Sequence, residues 1–485
     1  MLHHLSRLAR HSAIYGLAET ISRGTGFVLM FIYLRLLTDA EIGIRTLLYV
    51  GSSFIILFYT LGLDQAFLRY FMDDELKDRK REVFTTSVVF TVLLGVLFLI
   101  LALFRGPQIS SALTESTTYV YTTVLLFVIM IFDTLSLYPM QVLRAEDRFG
   151  YYLFISAERF ILFILLNLLF VGVFRRGVNG IFEANLLVVV IVAASLVPIY
   201  CRNLGLRISP RLLRRMLAFG IPTVFTVLAM RIIDLSDRRI LQYFLGETEV
   251  GQYAASYTLG MVGIMVFVNS FRIAWQPFFL SIQSQPEAKS VFSRVATFYS
   301  LFISFAFLGM TLFREEIFMV YAPGRPLWLS GIIPLVALSY ILYGCYIVLL
   351  PGVFIREKTT ALTVASLAGA VCNVALNFAL IPVLGIIGAA YATVVAYGVM
   401  VAVLFFMSRR IYRVSYEFAR IAVVWIVTAV PIALSFLIQP SSRPARISLN
   451  LLFLVIPLVL YKLIGFWRAE ERQFFLSLIG KKRVP

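Results

Sequence analysis

Residues 33–49, YLRLLTDAEIGIRTLLY, align without a gap on residues 241–257, LQYFLGETEVGQYAASY. Leu37 falls on Leu245, Glu41 on Glu249, Gly43 on Gly251 and Tyr49 on Tyr257. The same offset, about 208 residues, carries Arg23 onto Arg231, Gly177-Val178-Asn179-Gly180 onto Gly385-Ile386-Ile387-Gly388, and Ala184 onto Ala392. A period of this length is too long for a solenoid and fits a duplicated bundle of about six helices per copy. Two such lobes rocking about a shared cleft expose it to alternate sides of a bilayer.

The helices belong in a membrane. The chain is 60% hydrophobic and 14% charged, with 43 Phe, whereas a soluble domain is about 45–50% apolar with glycine counted. About 14 apolar stretches have the roughly 20-residue length that crosses the hydrocarbon layer. They are centred within 13–37, 43–68, 83–104, 118–143, 151–174, 178–201, 217–245, 250–276, 294–320, 327–354, 359–383, 385–408, 417–438 and 446–467. The expected fold is therefore an all-α polytopic membrane protein. Residues 1–205 form one six-helix lobe and 206–410 the other, and 411–485 add two helices and a basic tail. An even helix number per lobe gives both copies the same orientation, so the repeat is parallel and its axis runs along the membrane normal.

The net charge of +17 would suggest nucleic acid in a soluble chain. Here the basic clusters Lys77–Arg81, Arg207–Arg215, Arg409–Arg413 and Lys481–Arg483 all fall on one side when the spans are threaded alternately. That is the pattern of cytoplasmic loops. Both termini are then cytoplasmic, the basic excess faces anionic membrane lipids, and no nucleic acid is expected. The first span is too long for a signal-peptide core and is retained. Cys201, Cys345 and Cys372 have no metal or redox spacing, and His3, His4 and His11 all lie at the N-terminus. No phosphate-binding loop motif occurs, so neither cofactor, metal, nucleotide hydrolysis nor catalytic centre is expected.

An ionised side chain at mid-bilayer costs about 2.5–3.5 kcal/mol on insertion scales, so it faces protein or water. Glu19 and Arg23 stand one turn apart in the first span, beside Gly16, Thr20, Gly24 and Gly26. Arg231, Asp234 and Arg238 make one stripe on the seventh span, with Asp237 and Arg239 to either side. Arg272 lies in the eighth span, Asp133 in the fourth, and Glu158 and Arg159 in the fifth. Each group is either an ion pair that sets helix register or the lining of a cavity. The repeat-related Arg23 and Arg231 favour a cavity, and the candidate lining is Glu19, Arg23, Arg231, Asp234, Arg238 and Arg272. Asp133 has no partner nearby in sequence, so it pairs with an arginine on another helix or titrates. Asp133 and Asp234 are thus the candidates for ion coupling. Asn373 and Asn377 read as helix–helix hydrogen bonds. Arginines dominate the candidate charge, which suits an anionic passenger held by two-pronged guanidinium contacts.

R-L-L-T-D-A-E-I-G after the first span, G-L-D-Q-A-F-L-R-Y-F closing the second, F-G-I-P opening the seventh and N-V-A-L-N-F-A-L-I-P-V-L-G-I-I-G-A-A across the eleventh and twelfth resemble polysaccharide biosynthesis flippases. These are the Wzx-type branch of the multidrug/oligosaccharidyl-lipid/polysaccharide (MOP) exporter superfamily. The resemblance implies a transporter, not an enzyme, of the plasma (inner) membrane. It would move undecaprenyl-pyrophosphate-linked oligosaccharide from the cytoplasmic to the outer leaflet, with the polysaccharide polymerase and chain-length machinery as further partners. Ser22-Arg23-Gly24-Thr25-Gly26-Phe27-Val28 is similar to the first helix of the lipid II (MurJ-like) flippases, where Arg23 matches an important arginine. Leu29 and Ser256 stand where that family has further arginines. Multidrug (MATE-like) exporters share the expected architecture but would use cation cargo and titrating carboxylates.

Overall fold

A computed structural model of the chain describes residues 25–468 and 471, without positions 357, 359, 439 and 441 and without the side chain of Asp74. Glu19 and Arg23 lie outside the described residues. Every described element is helical, and thirteen helices are long and apolar enough to cross a membrane. A fourteenth apolar helix, α1, is described over Thr25–Leu36. The protein is a multi-pass membrane protein.

In the first half the helices that matter for the site are α2 (Asp39–Thr60), α3 (Leu63–Phe71), α4 (Lys80–Phe104), α6 (Val120–Ala145), α7 (Phe149–Asn167) and α8 (Gly177–Ser195). In the second half they are α10 (Pro210–Leu245), α11 (Glu247–Ile282), α12 (Ala288–Leu312), α14 (Ile332–Val348), α16 (Thr360–Leu384) and α17 (Ile386–Ile411). Within the first half α6 packs on α4 and α8, and α7 on α8. Within the second, α16 packs on α10 and α17, and α14 on α11 and α17. The last two helices, α18 (Phe418–Leu437) and α19 (Arg443–Leu463), rest on α12. They are tied to the bundle near both ends: Arg446 pairs with Glu315 at 2.5 Å, and the Thr297 hydroxyl of α12 donates to Glu417 at 2.9 Å, while Arg420 links the two appended segments by pairing with Glu417 at 3.0 Å and Glu471 at 2.7 Å.

Local chemistry sets the ends of α2. Thr38 and Glu41 form a reciprocal cap, in which the Glu41 amide donates to the Thr38 hydroxyl and the Thr38 amide to the Glu41 carboxylate. The pair satisfies two of the amides that a helix start leaves free. The apolar run suggests a second span over 43–68; the structure instead starts α2 at Asp39 and breaks it at Leu61 and Gly62, both left-handed.

The repeat is visible as geometry. Gly177 and Gly385 both take positive φ, 57° and 59°, in the turns that open α8 and α17. Three residues on, Gly180 and Gly388 press against carbonyl groups of the preceding segment, those of Phe170 and Leu380. A side chain at these four positions would be strained or would collide.

The halves touch at two levels. At one end α2 lies on α11, so closely that a Cβ on Gly43 would overlap the Glu247 carbonyl and one on Gly251 the Asp39 carbonyl. Since Asp39 is the repeat mate of Glu247 and Gly43 of Gly251, this contact maps onto itself, as an interface across a twofold axis must. Around it, Arg325 bonds Asp39 at 2.6 Å and the Leu34 carbonyl at 2.5 Å, and Arg35 donates to the Val320 carbonyl at 2.7 Å. Toward the other end, the face carrying the basic loops, the backbones of Gly62 and Gly220 meet where α3 crosses α10.

Replacing Gly43 or Gly251 with valine is expected to hold the first of these ends apart. Thiol labelling of a cysteine placed at Thr46, about one turn inward along α2, should then be faster from that side than in the parent. Unchanged labelling would show that this contact is not the seal.

Candidate substrate cavity

Between those two contacts lie two adjoining chambers that share Gly26, Arg45 and Tyr49 as common wall. The first, about 400 Å³, is bounded by α1 and α2 from one half and α10, α11 and α14 from the other. The second, about 600 Å³, is enclosed within the first half by α1, α2, α3, α6, α7 and α8. Both fall in the range, about 300–1,000 Å³, of small-molecule sites.

Arg45 stands at the junction. Its guanidinium lies 4.9 Å from the ring centroids of both Tyr33 and Tyr49. Among the described residues no carboxylate reaches it, and its Nε is buried without an acceptor. Cation–π attraction to two rings is what holds it. Those rings are themselves fixed. The Tyr33 hydroxyl donates to Asn167 Oδ1 at 2.6 Å, Asn167 Nδ2 donates to Asn185 Oδ1 at 3.2 Å, and Asn185 Nδ2 donates to the Tyr49 hydroxyl. A chain of satisfied buried amides and hydroxyls of this kind is rigid.

Across the first chamber stands the stripe on α10. Arg231 is exposed to the chamber and, among the described residues, has no carboxylate within ion-pair distance. Asp234 accepts from the hydroxyls of Tyr397 and, at 3.4 Å, Tyr340; Tyr340 in turn bonds Tyr257 at 2.7 Å. Arg238 is 5% exposed and bonds Asp237 at 2.6 Å, with its guanidinium 3.9 Å from the Tyr257 ring. The other Asp237 oxygen accepts from the Tyr253 hydroxyl at 2.6 Å. Three guanidinium groups thus face two carboxylates, and the uncommitted charge sits on Arg45 and Arg231.

The second chamber is walled by two matching stripes. On α6 the lining positions are 133, 136, 137, 140, 141 and 144; on α7 they are 152, 155, 156, 159, 160 and 163. The two sets have the same internal spacing, that of one helix face. Arg159 on α7 bonds Asp133 on α6 at 2.6 Å, and both side chains remain open, 36% and 43% exposed.

Arg231, Asp234, Arg238 and Asp133 therefore all line a chamber. Arg272 lines neither of these two chambers; α11 lines the first as far as Met265, and Arg272 stands further along it toward the basic face. Asp133 is not a lone carboxylate, because Arg159 reaches it from α7; Glu158, adjacent in sequence, binds the Ser195 hydroxyl at 2.8 Å instead. Asp234 is not the counter-ion that fixes Arg238. Asp237, expected beside the stripe, takes that part, since its carboxylate shares a fully buried layer with the guanidinium. Asn373 accepts from Ser236 at 2.9 Å and from Asn377 at 2.9 Å, as a helix–helix bond should. Arg45 is absent from the expected set, although the T-D-A-E capping signature at 38–41 carries the information. Starting the helix there places Arg45 well inside the span.

A family model described as polysaccharide biosynthesis protein matches residues 8–283. The chain belongs to that family. No curated protein sequence gives a significant match. Among solved structures, the inward closed conformation of the lipid II flippase MurJ superposes with a TM-score of 0.76 at 14% identity, covering 93% of this chain and 99% of that one. An inward-facing multidrug resistance MATE family transporter of the MOP superfamily gives 0.62 at 16% identity, covering 86% and 96%. A MOP superfamily transporter from Pyrococcus furiosus gives 0.60 at 16% identity, covering 85% and 96%. These likenesses show that the family member described here has the MOP fold.

Removing one partner of a buried ion pair strands the other charge, at a cost of about 3–5 kcal/mol. Asp237→Leu should therefore lower the thermal unfolding temperature in detergent markedly. The double variant Asp237→Leu/Arg238→Met should recover most of the loss, and a double variant no better than the single would contradict the pairing.

Proposed function

We propose that this protein is a flippase that moves an undecaprenyl-pyrophosphate-linked oligosaccharide from the cytoplasmic to the outer leaflet by alternating access. The observation that carries the reading is the pair of uncommitted guanidinium groups, Arg45 and Arg231, facing one cavity from opposite halves of a polysaccharide-biosynthesis family member. A guanidinium binds a phosphate through two parallel N–H donors, so two of them across a cavity suit a pyrophosphate. Arg23 and Glu19 join this set on sequence grounds, through the repeat relation of Arg23 to Arg231. The basic face is cytoplasmic by the distribution of Lys and Arg, and both termini lie on that side of the inner membrane. With the opposite end closed by α2 and α11, the conformation described is shut toward the outer leaflet.

Two further features favour this cargo. Leu29 lines the second chamber and Ser256 is buried against the Leu329 carbonyl, so neither adds the cations of the lipid II branch. A cation exporter is disfavoured because the three carboxylates that line the chambers are each engaged, Asp133 by Arg159, Asp64 by the Gln65 amide and Asp234 by tyrosine hydroxyls. Asp234 remains the coupling candidate, since neutralising it would free the hydroxyls of Tyr340 and Tyr397 on α14 and α17.

In proteoliposomes carrying lipid-linked oligosaccharide, Arg45→Ala and Arg231→Ala should each slow translocation by about 10- to 100-fold, the worth of one charge-assisted hydrogen-bonded contact. Lysine at either position should restore part of the rate, as it keeps the charge and loses the fork. Full activity in both alanine variants would refute the assignment. Asp234→Asn should flatten the dependence of transport on an imposed proton gradient while leaving binding of the lipid intact; an unchanged gradient dependence would remove Asp234 from coupling.

A further inference from the structure

The chamber within the first half differs in chemistry from the one between the halves. The first chamber sets thioethers and rings around its cations: Met30, Met261, Met265 and Phe27. Both chambers carry hydroxyls, Thr46, Ser53 and Thr258 in the first and Ser136 and Ser156 in the second, but only the second adds side-chain amides, those of Gln65, Gln141 and Asn185. Apart from the shared Arg45 its charges balance, Asp133 and Asp64 against Arg159 and Arg144, and the Asp133–Arg159 pair stays open, offering carboxylate acceptors and guanidinium donors side by side. The contrast with Arg238–Asp237, sealed from solvent, is direct. Phe160 and Phe163 supply half-buried ring surface on the same stripe. Amides, hydroxyls, an open neutral ion pair and aromatic faces match a polyol, whose hydroxyls each donate and accept while its C–H face is apolar. They match a phosphate poorly, because a phosphate seeks unbalanced positive charge.

The position fits as well. The two chambers share Arg45, so a pyrophosphate held at Arg45 and Arg231 would place whatever it carries at the mouth of the second chamber. Two polar stripes on α6 and α7 would be costly if they faced lipid, and turning both inward makes one continuous lining.

We propose that the second chamber is a saccharide subsite, in which Ser136, Gln141, Ser156 and the Asp133–Arg159 pair read the sugars next to the pyrophosphate. Discrimination among lipid-linked oligosaccharides then resides in α6 and α7 of the first half, separate from the phosphate contacts on α2 and α10. This inference rests on the flippase reading. It goes further by assigning the sugar to a defined half of the cavity.

The test compares two probes on the purified protein in lipid nanodiscs: undecaprenyl pyrophosphate, and the oligosaccharide-bearing form isolated from cells that express this protein. The parent should bind the sugar-bearing lipid at least about tenfold more tightly, since a site built to bond hydroxyls discriminates strongly against a ligand that lacks them. Gln141→Leu and the double variant Asp133→Asn/Arg159→Gln, which keeps the net charge of the chamber, should bring that ratio close to one while the Kd for the bare pyrophosphate stays within about twofold. Ser136→Ala and Ser156→Ala, each removing a single oxygen, keep the test readable if the double variant does not insert. Variants that leave the ratio unchanged, or that weaken both ligands equally, would overturn the saccharide subsite and leave the flippase reading standing. A parent that binds neither lipid, with Arg45→Ala and Arg231→Ala without effect on transport, would overturn the flippase reading and this inference with it.

Discussion

A guanidinium ion within a bilayer protein has few stable surroundings, and the architecture around Arg45 is one of them. No carboxylate neutralises it among the described residues; two tyrosine faces cradle it, and the rest is open chamber. The rings hold position because Asn167 and Asn185 tie their hydroxyls together across α7, α8, α1 and α2. Without that network the cation would have nothing to rest on, and without a chamber beside it the insertion cost of about 2.5–3.5 kcal/mol would stand uncompensated. Both requirements oblige the helices of the first half to part around this residue.

The repeat explains what closes the molecule, and its lapses explain what the cavity does. At the α2–α11 contact the two copies are interchangeable: glycine meets carbonyl twice, related by the same offset. A short distance inward the copies diverge. Arg45 of the first copy corresponds to Tyr253 of the second, and Tyr253 serves a different purpose by bonding Asp237 behind Arg238. The second half thus buries its ion pair as structure, while the first leaves its cation available. Duplication supplies a symmetric contact; departure from symmetry supplies a cavity with two unlike sides.

The expectations drawn from sequence succeed where a local rule governs and fail where a side chain's partner comes from another helix. Span existence, the glycine pairs of the repeat and the Asn373–Asn377 bond follow from hydropathy, offset and helical spacing. Asp133 and Glu158–Arg159 could be located but not paired, because the ion pair crosses from α6 to α7. Arg272 satisfied the same test as Arg238, a charge in an apolar run, yet it lies on α11 beyond the last residue that faces the chamber. Arg45 sits at the very edge of a span that hydropathy begins at about residue 43, whereas the capping pair begins the helix at Asp39 and carries Arg45 further inside it.

By itself the sequence determined that this chain crosses a membrane many times, that it is duplicated in parallel, and that arginines outnumber acids where lipid would exclude both. Those properties are set by composition and periodicity, which act residue by residue and need no knowledge of neighbours. The tertiary structure alone decided which charges are spent and which are free. Asp237 silences Arg238, Arg159 engages Asp133, and Arg45 and Arg231 are left facing one chamber. Pairing depends on distances of a few ångströms between helices far apart in the chain, and those distances exist only once the helices have packed.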